Sequence, residues 1–203
     1  MDDEKRTQLK HKFEQARQKE RIDAKIAQAT DERGVVIMIS GEGKGKTTSA
    51  FGMVMRSLGY DHKVGIVQFI KGKQLSGEEL FIKKNYPELP FYQMGTGFTW
   101  DTQDRSSDIV AAEKTWGFAE KLLKDESIRL VILDELTYML GYKYLDENMV
   151  LEAIHNRPPE QSVVITGRGG GTGIRELADT VAEVNSAKHA YERGIKAREG
   201  VDF

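Results

Sequence analysis

Cysteine is absent from this sequence of 203 residues. Its absence excludes disulfides, thiolate metal sites and a cysteine nucleophile, and it agrees with a reducing environment. Apolar runs long enough to cross a bilayer are absent, and residues 1–6 lack the basic start of a secretory signal. We therefore expect a cytoplasmic protein with no membrane contact, which begins near Met1 and takes any electrons it needs from outside.

A large net charge of either sign is missing too. The 30 Lys and Arg residues and the 32 Asp and Glu residues leave a formal net charge of -2, which gives no electrostatic reason to expect nucleic acid as a partner. The hydrophobic content of 39% and the charged content of 31% are typical of a globular chain. The length fits one compact domain with appendages.

Glycine and proline are absent from residues 1–33, which are rich in Lys, Arg, Glu, Asp and Gln. This composition favours a charged helical arm, followed by a domain over 34–203. Apolar residues recur at helical spacing in two thin stripes that do not join: Leu9, Phe13 and Ala16, then Ile22, Ile26 and Ala29. The arm is either solvated and partly frayed, or it packs on its own domain or on a partner subunit.

Beyond the arm, short apolar runs alternate with segments of helical spacing. The runs are continuous and β-branched, as in parallel strands that are buried on both faces. The clearest are 35–39, 64–69, 130–133 and 162–166, with 91–94 as a further candidate, and helical spacing marks 47–58, 108–124 and 146–155. The alternation predicts an α/β fold with a mostly parallel sheet and helices on both faces.

The segment after the first predicted strand has the composition of a phosphate-binding loop. It reads Gly41, Glu42, Gly43, Lys44, Gly45, Lys46, Thr47, Thr48. Glycine lets backbone N–H groups converge on phosphate, Lys46 adds a cation, and the Thr47 hydroxyl is a ligand for Mg²⁺. The segment predicts a Walker A loop that binds ATP, in a variant with Ser40 at the first motif position. A flexible surface loop is the less favoured alternative.

A pair of acidic residues, Asp134 and Glu135, follows the apolar run 130–133. At the carboxyl end of a parallel strand these side chains would lie where ligands bind in open α/β sheets. One carboxylate would hold Mg²⁺ directly or through water, and the other would orient substrate or a water molecule. The pair predicts a Walker B site next to the loop.

The loop 95–103 carries two aromatic residues, Phe98 and Trp100, among glycine and threonine. Residues two apart on a strand face the same side, so these rings would form one apolar wall. Ordinary core packing is the alternative. The loop matters because ATP and magnesium alone do not define a reaction, since kinases, motors and switches share those parts.

Five blocks, in this order along the chain, resemble the P-loop type of ATP:corrinoid (cobalamin) adenosyltransferases. They are 41–48, 67–72, 97–100, 133–138 and 165–168. The resemblance runs from the arm to the last residues. It implies a RecA-like P-loop NTPase fold, a homodimer, and transfer of the 5′-deoxyadenosyl group of ATP to Co(I) of a corrinoid, with triphosphate as the leaving group.

The resemblance also implies roles for single residues. Lys46, the loop amides and Mg²⁺ would stabilise the departing triphosphate, while Phe98 and Trp100 would lie beneath the corrin and keep an axial ligand off cobalt. Arg56 and Arg168 match positions near the nucleotide, although a surface position is the default for a lone arginine. An external flavoprotein reductase would supply the electrons, and the arm would close over an active site, its own or the partner's.

One segment departs from the family pattern. The run 169–173 after Arg168 contains more glycine than relatives usually carry. A floppy connection there would leave the position of Arg168 poorly fixed.

Two other functions stay open from the residues alone. An ATP-hydrolysing switch or small-molecule kinase would use Glu135 to activate water or a hydroxyl group and would release ADP. A RecA-like, nucleotide-dependent binding module without catalysis would use the charged arm as its contact. The balanced charge of the arm argues against DNA, and only a DNA affinity that depends strongly on salt would revive this alternative.

Overall fold

The computed structural model describes residues 3–70, 75–95 and 105–203, without the side chains of residues 3 and 6. The chain divides into two compact units, Met1–Glu32 and Arg33–Phe203. The first unit contains one helix, α1 (Asp3–Gln28), whose described side chains are all exposed. Its apolar residues Leu9, Phe13, Ile22 and Ile26 are among the exposed ones. A role for this unit as a cap remains a prediction.

The second unit is built on a sheet of six strands in the order β3-β2-β4-β5-β1-β6. All five pairings between neighbouring strands are parallel. The strands are β1 (Val36–Ser40), β2 (Lys63–Gln68), β3 (Phe91–Gln93), β4 (Ile128–Asp134), β5 (Ser162–Thr166) and β6 (Thr180–Glu183). The predicted α/β class with a mostly parallel sheet is confirmed.

Helices connect the strands and cover both faces of the sheet. They are α2 (Lys46–Leu58), α3 (Gly77–Asn85), α4 (Arg105–Leu123), α5 (Leu136–Gly141), α6 (Glu147–His155) and α7 (Thr172–Leu177), with a 3₁₀ turn at Tyr191–Arg193. One apolar core contains Trp116 of α4 and Met139 of α5, and the other contains Phe51 of α2 and Ile82 of α3. No helix of the described ranges is long and apolar enough to pass through a bilayer.

The order of the central strands decides where a ligand can bind. Because β5 lies between β4 and β1, the carboxyl ends of these three parallel strands meet at one edge of the sheet. Ser40, Asp134 and Thr166 are the last residues of β1, β4 and β5. This edge is where open α/β sheets bind their ligands, and α2 begins beside it.

Four elements were not predicted from the sequence. Within the described ranges the edge strand β6 pairs with β1 alone. Its residues are mostly exposed, and it lacks the continuous apolar run of a central strand. Helices α3, α5 and α7 span 9, 6 and 6 residues. Segments this short do not display enough helical repeats for a periodic pattern to be recognised.

Candidate active site

The loop between β1 and α2 passes close to the end of β6. Gly43 donates its backbone N–H to the Val184 carbonyl oxygen over 2.7 Å, and a Cβ atom on Gly43 would lie 2.7 Å from the same oxygen. Gly41 and Gly45 have φ angles of 104° and 111°, which other residues rarely adopt. The geometry of the loop therefore requires glycine at all three positions.

The amino end of α2 is open to an anion. Gly45 caps this helix without a side-chain hydrogen bond, and the first turn carries no acidic residue. The first N–H groups of a helix have no partner within the helix and carry its positive partial charge. The loop holds these N–H groups beside Lys46, so their partial positive charges and the full charge of the lysine lie close together at the start of α2.

Lys46 is folded back onto the loop. Its ammonium group donates to the Gly43 carbonyl oxygen over 2.8 Å, and the residue is only 5% exposed. Burial lowers the pKa of Lys46, while the nearby carboxylate of Glu135 acts in the opposite direction. The loop thus holds a buried cation at the place where a phosphate group would neutralise it.

Asp134 lies opposite Thr47. The Thr47 hydroxyl donates to Asp134 Oδ1 over 3.0 Å, and the Thr166 hydroxyl donates to the same oxygen over 2.6 Å. The other oxygen, Oδ2, accepts from the Gln68 amide over 3.0 Å. Burial raises the pKa of Asp134, and the hydrogen bonds that the carboxylate accepts lower it. The structure therefore brings together the predicted Walker A threonine and Walker B aspartate.

Glu135 takes a strained backbone conformation at the start of α5. Its φ angle is 60°, and its N–H donates to the Thr166 hydroxyl over 3.0 Å. The Oε2 atom is buried and has no hydrogen-bond partner among the described residues. Burial, reinforced by the charge of Asp134, raises the pKa of Glu135 to about 7. A side chain in this state is suited to receive a cation or a proton.

Arg168 reaches the phosphate loop from the end of β5. Its guanidinium donates to the Glu42 carboxylate over 3.2 Å, and both side chains are largely exposed. An exposed ion pair of this kind contributes little to stability. Both residues were predicted to bind ATP, and a phosphate anion here would compete with the Glu42 carboxylate for Arg168.

The glycines that flank Arg168 form a defined turn. Gly167, Gly169, Gly170 and Gly171 all have positive φ angles, between 58° and 147°. A Cβ atom on Gly170 would lie 2.4 Å from the Thr137 carbonyl oxygen, and Gly171 caps α7. Close packing against α5 requires glycine at positions 167 and 170, so the turn has a defined geometry there.

Three other predicted ATP-binding residues are exposed. Lys44 pairs with Asp202 over 2.9 Å, and Thr48 lies in the first turn of α2. Arg56 lies in the last turn of α2, about 15 Å along the helix axis from Lys46 at 1.5 Å per residue. The structure does not bring Arg56 to the loop of its own chain, and its predicted role remains a prediction. Phe98 and Trp100 lie outside the described residues.

Two polar residues that bond to Asp134 were not assigned a role from the sequence. Gln68 ends β2 and Thr166 ends β5, and both are buried. Each is a polar residue at the end of an apolar run, which is the signal that identified Asp134. Their partnership with Asp134 depends on the strand order, which the sequence did not reveal.

The oxygen atoms at this edge fit a magnesium ion. Mg²⁺ prefers oxygen ligands and is usually held by one or two carboxylates together with phosphate and water. Thr47, Asp134 and the unpartnered Oε2 of Glu135 are such oxygens. Among the described residues no group of three or more His, Cys, Asp or Glu side chains is placed to hold a metal ion. A metal here would therefore depend on phosphate for further ligands.

The fold and this site define a P-loop nucleotide-binding protein: a parallel sheet, a glycine-rich loop before a helix, a buried lysine, and a carboxylate opposite the loop threonine. A family model described as ATP:corrinoid adenosyltransferase BtuR/CobO/CobP matches residues 32–203. The chain belongs to this family of enzymes.

Curated relatives are similar in sequence to this chain over nearly its whole length. A corrinoid adenosyltransferase of Pseudomonas aeruginosa is 52% identical over 194 residues, 96% of each chain. One of Escherichia coli K12 is 50% identical over 189 residues, which cover 93% of this chain and 95% of the relative. The corrinoid adenosyltransferase CobA of Salmonella typhimurium is 45% identical over 203 residues, all of both chains.

Proposed function

We propose that this enzyme transfers the 5′-deoxyadenosyl group of ATP to Co(I) of a corrinoid and releases triphosphate, in the synthesis or salvage of adenosylcobalamin. The observation that carries the proposal is a complete phosphate loop in a chain that matches the corrinoid adenosyltransferase family over residues 32–203. In this reaction the bond between C5′ and oxygen breaks, a bond between C5′ and cobalt forms, and both electrons of the new bond come from cobalt.

The loop would stabilise the leaving group. As the C5′ bond breaks, negative charge grows on the triphosphate, and preorganised N–H donors and cations lower the energy of that charge. Two observations support this role: α2 begins at Lys46, and the Lys46 ammonium is held by the loop through the Gly43 carbonyl oxygen. When ATP binds, the Lys46 ammonium would leave the Gly43 carbonyl oxygen and donate to a phosphate oxygen. The Arg168 guanidinium would leave Glu42 in the same way.

Magnesium is a further part of the proposal. Thr47, Asp134 and Glu135 would hold Mg²⁺ together with phosphate oxygens. The ion would supply positive charge next to the departing triphosphate. Glu135 would then be ionised, because a cation beside its buried carboxylate opposes the effect of burial.

The corrinoid would lie at the same edge of the sheet, near β3. A cavity of about 680 Å³ opens there between the end of β3 and α4. Gln93, Val110, Lys114 and Phe118 are among its lining residues, so that it offers both apolar and polar contacts to a large ring. The segment 96–104 that joins β3 to α4 carries Phe98 and Trp100, for which we propose the lower face of the corrin.

Three features of the proposal concern partners and location. The protein would act as a homodimer in the cytoplasm, with α1 as a cap over an active site. A flavoprotein reductase would deliver the electron that converts Co(II) to Co(I). Trp100→Ala should then slow the reaction that starts from Co(II) more than the one that starts from Co(I).

Product analysis tests the reaction. The protein, MgATP and chemically reduced cobalamin should yield a photolabile adenosyl-cobalt product and intact triphosphate, which phosphorus NMR distinguishes from other phosphates. Lys46→Ala should abolish this turnover, whereas Lys121→Ala, at an exposed position in the last turn of α4, should not change it.

A phosphoryl-transfer enzyme is the second candidate. With a pKa of about 7, Glu135 could act as a general base that takes a proton from water or a hydroxyl group. Recovery of ADP and phosphate without an adenosylated corrinoid would favour that candidate and reject adenosyl transfer.

A further inference from the structure

A row of polar side chains crosses three neighbouring strands at the edge that holds the site. Gln93 of β3 pairs in register with Gln68 of β2, and Gln68 pairs in register with Asp134 of β4. Residues in register on neighbouring strands place their side chains on the same face of the sheet. The row therefore leads from the carboxylate beside the phosphate loop toward the edge strand.

Hydrogen bonds connect every member of this row. Gln68 Nε2 donates to Asp134 Oδ2 over 3.0 Å, and Gln93 Nε2 donates to Gln68 Oε1 over 2.8 Å. Gln93 Nε2 also donates to Glu79 Oε2 over 2.9 Å. We call these four residues, Asp134, Gln68, Gln93 and Glu79, the polar relay.

The two carboxylates of the relay fix the orientation of the two amides. An ionised carboxylate only accepts hydrogen bonds, whereas an amide donates from nitrogen and accepts at oxygen. If the Gln68 amide were reversed, its oxygen would face Asp134 Oδ2 and its nitrogen would face the nitrogen of Gln93. In the described orientation both carboxylates, Asp134 and Glu79, accept from an amide nitrogen. The acceptor at Glu79 therefore favours the Gln68 orientation in which Asp134 receives a donor.

Glu79 is buried in a way that needs an explanation. It belongs to α3 and is 1% exposed, although glutamate is almost never buried without partners. Its Oε1 accepts from Lys83 over 2.6 Å, and the Lys83 side chain is 55% exposed. Glu79 also helps to start α3, because its backbone N–H donates to the Ser76 hydroxyl. That bond uses the backbone of Glu79, so its carboxylate can accept from Lys83 and Gln93.

We propose that Glu79 and Gln93 are positioning residues for Asp134, and that they act through Gln68. The proposal rests on the role in magnesium binding proposed above for Asp134. Two hydroxyl groups hold Oδ1 of Asp134, and the relay holds Oδ2. Without the acceptor at Glu79, the Gln93 amide loses one of the bonds that fix its direction, and the Gln68 amide then holds its donor less firmly toward Asp134 Oδ2.

The exposed Lys83 makes a sharp test feasible. In Glu79→Gln the new amide accepts at one atom only, and the Lys83 ammonium, as the stronger donor, takes that oxygen. The amide nitrogen then faces the nitrogen of Gln93, and the relay is broken. Adding Lys83→Met removes the competitor, so that the amide oxygen turns to Gln93 and the relay is restored. Lys83→Met alone leaves Glu79 to accept from Gln93.

The measurement is the affinity for ATP by calorimetry, once with excess MgCl₂ and once with EDTA. The ratio of the two affinities reports what the metal contributes. Removing a partner of a metal ligand typically lowers metal affinity about 10-fold or more. We therefore expect the ratio to fall about 10-fold in Glu79→Gln, and to return to within about twofold of the parent value in the double variant and in Lys83→Met. A purely structural role would weaken both affinities together and leave the ratio unchanged.

Two further variants separate the possible failures. Asp134→Asn should lower the ratio; if it does not, the metal role of Asp134 is wrong and the relay proposal fails with it. If Asp134→Asn lowers the ratio and Glu79→Gln does not, only the relay is wrong. Should Glu79→Gln not fold, Gln93→Met, which lacks the amide, gives the same test, and an unchanged ratio in that variant overturns the proposal.

Discussion

At the scale of single residues, Glu135 makes the stability of the metal-free protein depend on pH. Its pKa is raised from 4.5 to about 7 by burial and by Asp134, so the folded protein binds a proton that the unfolded chain releases between these two pH values. The linkage relation then predicts that stability falls as pH rises through this window, by roughly 3 kcal/mol for this residue. Urea unfolding in EDTA, at several pH values between 4.5 and 8, measures the effect.

The control for this prediction is Glu135→Gln, which has no proton to lose. Compared with the parent protein, it should be similarly stable near pH 4.5 and more stable at pH 8. The difference between the two curves gives the contribution of Glu135 together with its coupling to Asp134. Parallel curves for the two proteins would show that Glu135 is already ionised near its ordinary pKa.

Gly167 offers a second prediction, because its conformation and its surroundings both exclude a side chain. Its φ angle is 147°, and a Cβ atom would lie 2.0 Å from the Thr137 hydroxyl oxygen. Gly169 also has a positive φ, 58°, but nothing lies within 4 Å of its Cβ position. Gly169→Ala should cost about 1 kcal/mol of unfolding free energy, and Gly167→Ala a further 1–3 kcal/mol, roughly, for the forced contact. Equal urea midpoints for the two variants would contradict this.

The predicted site residues that the structure brings together share one property: each ends or follows a strand, or begins a helix. Lys46, Thr47, Asp134 and Glu135 were predicted in this way, and the structure brings them together. Gln68 was not assigned a role, because its bond to Asp134 arises from the register between β2 and β4. Register between distant strands depends on packing of the whole sheet, which a local pattern does not encode.

At the scale of elements, the phosphate loop depends on the strand beside it. Gly43→Ala would place a methyl group 2.7 Å from the Val184 carbonyl oxygen and 2.8 Å from the Asn185 backbone, so the loop would have to move away from β6. A displaced loop loses at least one N–H contact to phosphate, worth about 1.5 kcal/mol or more for a charged acceptor. ATP affinity measured by calorimetry should therefore fall about 10-fold or more.

Gly52→Ala, in the helix α2 that follows the loop, is the matched control for Gly43→Ala. Gly52 lies within α2, is exposed, and has open space at its Cβ position. Alanine there should stabilise the protein by about 0.5–1 kcal/mol, because glycine is a poor helix former. ATP affinity should not change. A loss of affinity in Gly52→Ala similar to that in Gly43→Ala would mean that the loop geometry is not the cause.

Elements differ in how far the sequence predicts them. Strands β1, β2, β4 and β5 were predicted within two residues of their bounds, because buried parallel strands are continuous apolar runs. Strand β6 was missed because an exposed edge strand gives no such run. The glycine run 169–173 was interpreted from composition alone, and only the packing of Gly170 against α5 and of Gly173 against α6 shows why glycine is required there.

At the scale of the whole molecule, the two units make unequal contributions to the core. The buried residues of both apolar cores lie between Val36 and Ile174, and the partly buried ones that pack on them extend to Val184. The Arg33 guanidinium pairs with Asp179, and Asp179 also accepts from the Val36 N–H over 2.8 Å. The order of the second unit therefore begins at Arg33, after the end of α1.

Removal of residues 1–28 should leave a folded protein, because no core residue is lost. We expect its thermal midpoint to lie within about 5 °C of the parent value, since a domain of this size shifts by 2–4 °C per kcal/mol. ATP affinity should be retained, because the loop, Asp134 and Glu135 all lie in the second unit. If α1 caps an active site as proposed, adenosylation of the corrinoid should fall while ATP affinity does not.

A second variant, in the full chain, substitutes only Leu9 and Phe13 with serine. These side chains are 62% and 70% exposed, so the change should not alter the fold. A loss of adenosylation similar to that of the truncated protein would assign the capping contact to this apolar stripe.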